Sequence, residues 1–383
     1  MRILLTGHDG YIGTVLAPIL QAAGHDVRGL DTGWFSACAF GAQPTAPPAV
    51  RLDVRDASAE LFDGVDAVIH LANLSNDPLG SLDPGLTDDV NARATVRLAE
   101  LAREAGVGRF VFASSCSLYG AAGQDAVTEE APFNPVTPYG RAKVDAEAGL
   151  RPLASDAFSP VYLRNATVYG ASPRLRFDLV VNNLTAWAVA TGAIRMLSDG
   201  TPWRPLVHVE DVAHAALAAV EAPREAVHDQ AFNVGREGEN YQIRDVATLV
   251  GEAVPGCHVT FADGASPDAR SYRVSFAKIA ERLPGWQPRW TVPDGIRQVR
   301  DALAGLDLAP ARLRRPPPRP PLGRPARLGR RRGRLAGSLH HRLTPVDVPP
   351  PWGAPAPAGG GVPLQTDAPT RPPAAYASTP SAR

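Results

Sequence analysis

The chain begins Met1-Arg2-Ile3-Leu4-Leu5-Thr6-Gly7-His8-Asp9-Gly10-Tyr11-Ile12-Gly13, and this stretch decides the fold. A strand-like apolar run leads into three glycines at the spacing G-x-x-G-x-x-G. The residues that follow repeat apolar side chains every three or four positions, which gives a helix one apolar stripe. A strand, a glycine-rich loop and a helix in this order predict a site where a diphosphate meets the helix amino end.

The same alternation of strand and helix patterns continues to about residue 165. Short β-rich runs predict strands at Arg2–Thr6, Asp26–Leu30, Val50–Asp53, Ala67–Leu71, Arg109–Ala113 and Val161–Arg164. Between them, stripes at helical spacing predict helices that cover both faces of a parallel sheet. The sequence therefore predicts an α/β protein with a Rossmann-type, doubly wound parallel sheet.

Three segments are predicted along the chain. Residues 1–165 are predicted to form a dinucleotide-binding domain. Residues 166–305 are less regular, with helices near Asn182–Ala190 and Arg244–Glu252, and are interpreted as a smaller substrate-binding lobe. Residues 306–383 are rich in Pro, Arg, Ala and Gly and bury too little apolar surface to offset ordering entropy, so this tail is expected to be disordered.

Charge is divided unevenly between the body and the tail. The whole chain has net charge zero, yet the residues from Ala309 onward hold thirteen arginines and two acids, so the tail is near +11 and the rest near −11. The tail has no lysine, and its residue types have GC-rich codons, which suggests a frameshifted or read-through end. A flexible basic tail and a nucleic-acid arm are the alternatives.

The composition also limits partners and location. The three cysteines, Cys38, Cys116 and Cys257, are widely spaced, which favours neither disulfides nor a metal cage and fits a reducing cytoplasm. The chain opens directly on a strand, so no signal peptide is predicted. No apolar run reaches the roughly 20 residues of a membrane span. No membrane, nucleic-acid or metal partner is therefore expected for the body of the protein.

Two aspartates at strand ends indicate which dinucleotide is bound. Asp31 lies eighteen positions after Gly13, where a carboxylate accepts hydrogen bonds from the adenosine ribose and repels a 2′-phosphate, so NAD is predicted over NADP. Arg28 leaves NADP open as the lesser alternative. Asp53 either contacts the adenine amino group or caps the turn that it begins.

The reaction chemistry is predicted from Tyr139-Gly140-Arg141-Ala142-Lys143. Residues four apart share one helix face, so the phenol and the ammonium lie close together. A free tyrosine has a pKa of about 10, and a nearby cation favours the phenolate and makes it a better base.

A serine-rich segment precedes this pair by some twenty residues. Ser114-Ser115-Cys116-Ser117-Leu118-Tyr119-Gly120 directly follows a predicted strand, at the sheet edge where doubly wound folds bind ligands. A hydroxyl there is placed to hydrogen-bond the reacting oxygen, and an ordinary serine-rich turn is the alternative. Cys116 and His208 are interpreted as a core cysteine and a structural histidine.

These motifs together resemble the extended short-chain dehydrogenases/reductases of the NAD-dependent epimerase/dehydratase family, from Met1 to about Trp290. The resemblance implies Ser115, Tyr139 and Lys143 as catalytic residues. It implies cofactor contacts from Gly7, Gly10, Tyr11, Ile12, Gly13, Asp31, Asp53, Val54, Leu71, Ala72, Asn73, Tyr139 and Lys143. It implies substrate contacts from Ser117, Asn165, Thr167, Arg204 and Arg270, the arginines holding a diphosphate or nucleoside. It also implies a homodimer formed by helices around Val90–Ala105 and Tyr139–Leu150.

The chain departs from the family pattern at three places. Asn73 stands where a small residue is usual, and Thr167 stands where an asparagine is usual, with Asn165 two positions earlier. Cys116 and Ser117 replace the Asp-Glu pair that the sugar 4,6-dehydratases carry. Eliminating water requires an acid and a base, so the last departure disfavours dehydration.

The resemblance implies an NAD-dependent nucleotide-sugar epimerase, of the 4-epimerase type, in which Tyr139 is the base for a transient oxidation of a sugar hydroxyl. A keto-sugar reductase, a decarboxylase or a dehydratase on the same scaffold are alternatives. A non-catalytic NAD sensor is the alternative from another class, and it has no use for Tyr139 beside Lys143.

Overall fold

Seven parallel strands form the central sheet in the computed structural model, which describes residues 1–75, 77–261, 271–306 and 308. The described part of the chain contains the following strands: β1 (Arg2–Thr6), β2 (Asp26–Asp31), β3 (Ala49–Arg51), β4 (Ala67–His70), β5 (Arg109–Ser115), β6 (Ala121–Val127), β7 (Ser159–Asn165), β8 (Thr167–Tyr169), β9 (Ala193–Met196), β10 (Trp203–His208), β11 (Gln230–Val234), β12 (Asn240–Gln242), β13 (His258–Phe261) and β14 (Ser271–Val274). The six strands predicted from sequence are confirmed, each to within a few residues.

Helices connect and cover these strands. They are α1 (Gly13–Ala22), α2 (Asp77–Leu82), α3 (Pro84–Asp88), α4 (Ala94–Glu104), α5 (Pro138–Leu150), α6 (Val180–Thr191), α7 (Val209–Glu221), α8 (Arg224–Val227), α9 (Ile243–Ala253), α10 (Ala277–Arg282) and α11 (Val292–Leu303). A π-helical turn over Asp89–Arg93 joins α3 to α4. Within the described residues, no helix has the length and apolar character that a bilayer span requires.

The central sheet has the order β3-β2-β1-β4-β5-β7-β11. The chain leaves β1 toward β2 on one side and later returns to β4 on the other side. The strand order thus reverses between β1 and β4, and doubly wound folds bind ligands in the crevice at such a point. The predicted doubly wound parallel sheet is confirmed.

Alternating side chains of the strands build two separate cores. Ile3 and Leu5 of β1 face the cluster that contains α1 and α7. Leu4, between them, faces the opposite cluster, which contains α4 and α5. The period of two along each strand therefore buries both faces of the sheet, because successive side chains of a strand point in opposite directions.

The sheet extends beyond the division predicted at residue 165. Strand β11, from residues 230–234, pairs in parallel with β7, with Gln230 beside Val161 and Val234 beside Asn165. Helix α7 packs in the same core as β1. The predicted first segment therefore lacks an edge strand and a covering helix of the sheet, which come from the segment predicted as the substrate lobe.

The rest of the second segment forms a small layered unit. A three-stranded sheet of order β12-β10-β8 and helices α6, α9 and α11 enclose an apolar cluster that includes Val181, Leu206, Val250 and Ile296. The helices predicted near Asn182–Ala190 and Arg244–Glu252 correspond to α6 and α9. Because β8 follows β7 after one residue, this unit begins at the carboxyl end of the central sheet. The tail beyond 308 lies outside the described residues.

A buried ion pair fastens α5 to the sheet. Arg164 of β7 donates to Glu147 of α5 from Nε (3.0 Å) and Nη2 (2.7 Å), and both side chains are about 1% exposed. Ser114 of β5 donates to the same carboxylate over 2.6 Å. Arg164 also donates to the hydroxyl of Tyr119 over 3.0 Å. One carboxylate therefore joins α5, β5 and β7.

Replacing only one partner of this pair is expected to be more harmful than replacing both. The variant Arg164→Met leaves a buried, uncompensated carboxylate and should lower the free energy of unfolding by about 3–5 kcal/mol. The double variant Glu147→Met/Arg164→Met removes both charges and should be more stable than the single one. Urea denaturation of the three proteins measures the difference, and a double variant that is less stable than Arg164→Met would contradict the expectation.

Candidate active site

The glycine-rich loop forms a cradle between the ends of β1 and β4. Gly7 adopts φ +74°, and a Cβ built on it would lie 2.8 Å from the backbone nitrogen of Ala72. A Cβ on Gly13 would collide with the carbonyl oxygen of Gly7. A side chain at either position would push the loop away from the residues after β4 or from its own backbone, so the glycines allow the tight turn into α1. That turn leads to the amino end of the helix, where unpaired N–H groups favour a diphosphate. The residues present therefore fit a dinucleotide.

Asp31 lies at the end of β2 beside this cradle. Its carboxylate accepts hydrogen bonds from the backbone N–H groups of Asp9 (3.2 Å) and Gly33 (2.8 Å). The strand end thus presents an oriented carboxylate next to the glycine-rich loop. Its contact with the ribose of NAD stays a prediction.

Asp53 is used within the fold. It accepts from the backbone N–H of Arg55 over 2.9 Å and forms an ion pair with that guanidinium over 2.7 Å, while only about 2% exposed. The interpretation of Asp53 as the cap of its turn is confirmed, and its contact with adenine stays a prediction.

Helix α5 brings the predicted catalytic residues to the serine-rich segment. Thr137 caps the helix by accepting from the N–H of Gly140 over 3.1 Å, and Pro138 occupies the first turn. A Cβ on Gly140 would lie 3.0 Å from the carbonyl oxygen of Ser117, so the helix packs directly on the turn Cys116–Tyr119. Tyr139 therefore begins its helix beside the turn that Ser115 caps.

Lys143 is a buried cation close to Tyr139. Its Nζ lies 5.5 Å from the centre of the Tyr139 ring, which confirms that the two side chains share a face. Nζ donates to Oδ1 of Asn73 over 3.0 Å and to the carbonyl oxygen of Ala113. Burial lowers the pKa of Lys143 to about 7, against the opposing effect of Glu147. Asn73, predicted as a cofactor contact, thus orients the ammonium group.

Three polar groups converge at the carboxyl ends of β5 and β7. Ser115 pairs in register with Asn165, and its Oγ accepts from the N–H of Ser117 over 3.2 Å. Oγ of Ser117 and Oδ1 of Asn165 are buried without a hydrogen-bond partner among the described residues. Such groups cost stability unless a ligand satisfies them, so a hydroxylated substrate suits this place.

The second sheet holds the remaining predicted substrate residues. Arg204 of β10 is about 6% exposed, donates to the carbonyl oxygen of Trp203 over 2.8 Å, and lies 5.7 Å from the ring centre of Tyr272. Thr167 of β8 is half-buried on the neighbouring strand. Arg270 lies outside the described residues. The substrate contacts of all three stay predictions.

Comparison with known proteins gives a family. The model of the NAD dependent epimerase/dehydratase family matches residues 3–235, more than half of the chain. The chain belongs to this family. It is 32% identical to the UDP-glucose 4-epimerase of Azospirillum brasilense, over 79% of this chain and 91% of that protein. As a family member it is an NAD-dependent enzyme of the extended short-chain dehydrogenase/reductase type.

Solved structures of related enzymes have the same fold. The UDP-glucose 4-epimerase of Thermus thermophilus in complex with NAD has a TM-score of 0.67 and 28% identity, and covers 80% of this chain and 99% of its own. TunA, described as an NAD dependent NDP-hexosamine 5,6-dehydratase of tunicamycin biosynthesis, has a TM-score of 0.71 and 25% identity, and covers 80% and 99%. The scaffold is therefore shared by enzymes with different outcomes.

The structural roles predicted for Cys116 and His208 are confirmed. Cys116 is fully buried, its Sγ donates to the carbonyl oxygen of Arg164 over 3.0 Å, and burial raises the pKa of its thiol. His208 caps α7, and its ring stacks on that of Trp290 with the ring centres 4.0 Å apart. Burial lowers the pKa of His208 to about 4. Neither side chain presents an acid or a nucleophile to the site.

Sequence reasoning missed two arginines that the structure brings to the same crevice. Arg174 and Arg176 lie in the loop between β8 and α6 and contact Asp9 and Ser75, respectively. The signal in the sequence is a pair of arginines shortly after Gly170, but nothing local shows which surface they reach.

No group of three or more His, Cys, Asp or Glu among the described residues is arranged to hold a metal ion.

The variant Gly13→Ala is expected to abolish retention of NAD, because its new methyl group collides with the carbonyl oxygen of Gly7. The matched control is Gly108→Ala, where a Cβ has only one neighbour, at 3.9 Å. Nucleotide released from denatured protein and quantified by mass spectrometry gives the result. Equal NAD content in the two variants would contradict the role of the cradle.

Lys143 is expected to lose its charge near pH 7 in the nucleotide-free protein. Its lowered pKa means that the ammonium form is complete well below pH 7 and is lost as the pH rises through that value. NMR of isotope-labelled lysine side chains should show one signal with a midpoint near 7, absent in Lys143→Arg. A midpoint near the usual lysine value of about 10.4 would contradict the burial argument.

Proposed function

We propose that this chain is an NAD-dependent nucleotide-sugar 4-epimerase. The observation that carries the proposal is the placement of Lys143 beside Tyr139, on a helix packed against the turn that Ser115 caps. The identity to UDP-glucose 4-epimerases supports the nucleotide sugar as substrate and carbon 4 as the reacting position.

The chemistry assigned to the chain is a reversible proton transfer at the sugar hydroxyl. Tyr139 as phenolate accepts the proton of the C4 hydroxyl, and the ammonium group of Lys143 stabilises that phenolate. Ser115 donates a hydrogen bond to the same sugar oxygen. Bound NAD supplies the hydride acceptor. The hydroxyl is restored when carbon 4 takes back the hydride and its oxygen takes back the proton from Tyr139, so no net oxidation of the sugar remains.

Epimerisation also requires the sugar to turn while its nucleotide stays bound. We assign the anchoring of the diphosphate and nucleoside to Arg204 and Arg270, because guanidinium groups bind phosphate in a bidentate manner. Ser117, Asn165 and Thr167 are assigned to the sugar. The unpartnered Oγ of Ser117 and Oδ1 of Asn165, as seen among the described residues, support this, since sugar hydroxyls satisfy both donors and acceptors.

The alternatives on this scaffold differ in the groups that they require. A dehydratase needs an acid and a base beside the sugar, and Cys116 is buried with its thiol held by a backbone carbonyl. A keto-sugar reductase would consume NADH. A decarboxylase would release carbon dioxide. A non-catalytic NAD sensor has no need of a buried lysine next to a tyrosine.

The proposal includes a cytoplasmic homodimer. Cys38, Cys116 and Cys257 are all free thiols, which suits a reducing compartment. Helices α4 and α5 lie side by side, with Val96 packed on Gly149, and provide the face assigned to the dimer.

The decisive experiment supplies UDP-, dTDP- and GDP-hexoses to the purified protein without added cofactor and follows the products by NMR. We expect interconversion at carbon 4 with no net change in NADH. Loss of water from the sugar, or a need for stoichiometric NADH, would replace the 4-epimerase with one of the alternatives.

Removal of the phenol should separate catalysis from cofactor binding. We expect Tyr139→Phe to retain NAD and to lose at least about 100-fold in kcat, since general base catalysis contributes that much. Tyr162→Phe is the matched control, because that phenol bonds Asp229 within the fold. Full activity in a Tyr139→Phe protein that still holds NAD would exclude the mechanism.

A further inference from the structure

The loop between β8 and α6 is fastened onto the glycine-rich loop. The hydroxyl of Tyr11 donates to the carbonyl oxygen of Gly170 over 2.8 Å. The hydroxyl of Ser172 donates to the carbonyl oxygen of Tyr11 over 2.7 Å and lies 3.2 Å from the hydroxyl of Thr14. Residues 170–179 therefore run beside the crevice in which the strand order reverses.

Arg174 points from this loop to the glycine-rich loop. Its Nη2 lies 2.5 Å from Oδ1 of Asp9, between Gly7 and Gly10, and the side chain is about 11% exposed. Its Nε is buried and has no hydrogen-bond partner among the described residues. The guanidinium thus has donor capacity left over beside the cradle of Gly7 and Gly13.

Arg176 reaches the opposite side of the same crevice. Its Nη1 donates to Oγ of Ser75 over 2.8 Å and its Nη2 to the carbonyl oxygen of Ser75 over 3.1 Å, in the segment that follows β4. Asp178 forms an ion pair with it over 2.7 Å. The two arginines therefore contact the segments that follow β1 and β4, the strands between which the reversal occurs.

Each of the two arginines is paired with an aspartate, and an incoming anion can compete for these ion pairs. Arg174 is paired with Asp9 and Arg176 with Asp178, so these four side chains are neutral together. A dinucleotide diphosphate brings two negative charges and several acceptor oxygens, to which guanidinium groups donate in pairs. Asp9 competes with such a diphosphate for Arg174, because both are anions that bind the same donors.

We propose that Arg174 and Arg176 bind the diphosphate of NAD, and that Asp9 holds Arg174 in position until the cofactor enters. The two arginines then add side-chain donors to the backbone N–H groups of the glycine-rich loop and slow the release of NAD. This inference rests on NAD binding, which the family shares, and does not depend on the 4-epimerase activity.

The test compares two nucleotide probes on protein freed of bound nucleotide. ADP-ribose carries the diphosphate, whereas adenosine carries only the base and ribose. We expect Arg174→Gln and Arg176→Gln each to weaken ADP-ribose binding about tenfold or more, as loss of a charge-assisted hydrogen bond does, and to leave adenosine binding unchanged. Arg195→Gln, at an exposed position of β9, is the matched control and should change neither affinity.

A third variant tests the part assigned to Asp9. Asp9→Asn removes the competing carboxylate and should bind ADP-ribose more tightly than the unchanged chain. The rate at which bound NAD exchanges with labelled NAD should rise in both arginine variants and fall in Asp9→Asn. This pattern of opposite signs does not arise from damage to the fold, which would weaken binding in every variant.

Three results would overturn the inference. ADP-ribose affinities within about twofold of the unchanged chain in both arginine variants would show that neither guanidinium binds the cofactor diphosphate. Weakened binding of UDP with unchanged binding of ADP-ribose would assign the arginines to the substrate. Loss of adenosine binding together with ADP-ribose binding in both variants would show that the arginines only support the fold. These binding measurements can be interpreted even if the protein shows no epimerase activity, because none of them requires turnover of a sugar.

Discussion

The bidentate contact between Glu147 and Arg164 is the interaction on which the geometry of the site depends. Tyr139, Lys143 and Glu147 follow one another at intervals of four along α5 and so lie on one face of the helix. The last of them is tied by its two oxygens to β7 and by one of these to β5 through Ser114. The position of the tyrosine relative to the sheet edge is therefore set by a buried carboxylate two turns away from it.

The same pair affects the electrostatics of the site. Lys143 is buried beside Phe112, which lowers its pKa, and Glu147 acts against this effect. Asn73 and the carbonyl oxygen of Ala113 accept from the ammonium group and compensate part of its lost hydration. His70, at the end of β4, has its pKa lowered to about 3, chiefly by burial and in part by Lys143, and so adds no second positive charge. The ammonium group is buried and lies beside the half-buried Tyr139, and its exclusion from water strengthens its interactions with nearby charges.

Several features of the site follow from contacts that join distant parts of the chain. Asn73 and Lys143 are 70 residues apart, and Arg174 and Asp9 are 165 apart. Local periodicity contains no information about such pairs. Strand β11 was missed for a related reason: its pattern is short, and only the exposed edge of β7 makes it part of the central sheet. The groups of Ser117 and Asn165 that lack partners among the described residues likewise depend on the register in which β5 and β7 pair.

The sequence by itself determined the strand–loop–helix unit, the strands of the central sheet up to residue 165, and the spacing of Tyr139 and Lys143. These are local properties, because side-chain periodicity and glycine positions act over a few neighbouring residues. Only the tertiary structure decided that Asp53 serves as a cap, that Asn73 holds Lys143, and that a loop with two arginines lies over the crevice. Those outcomes depend on which surfaces meet when the chain is packed, and packing depends on residues far apart in sequence.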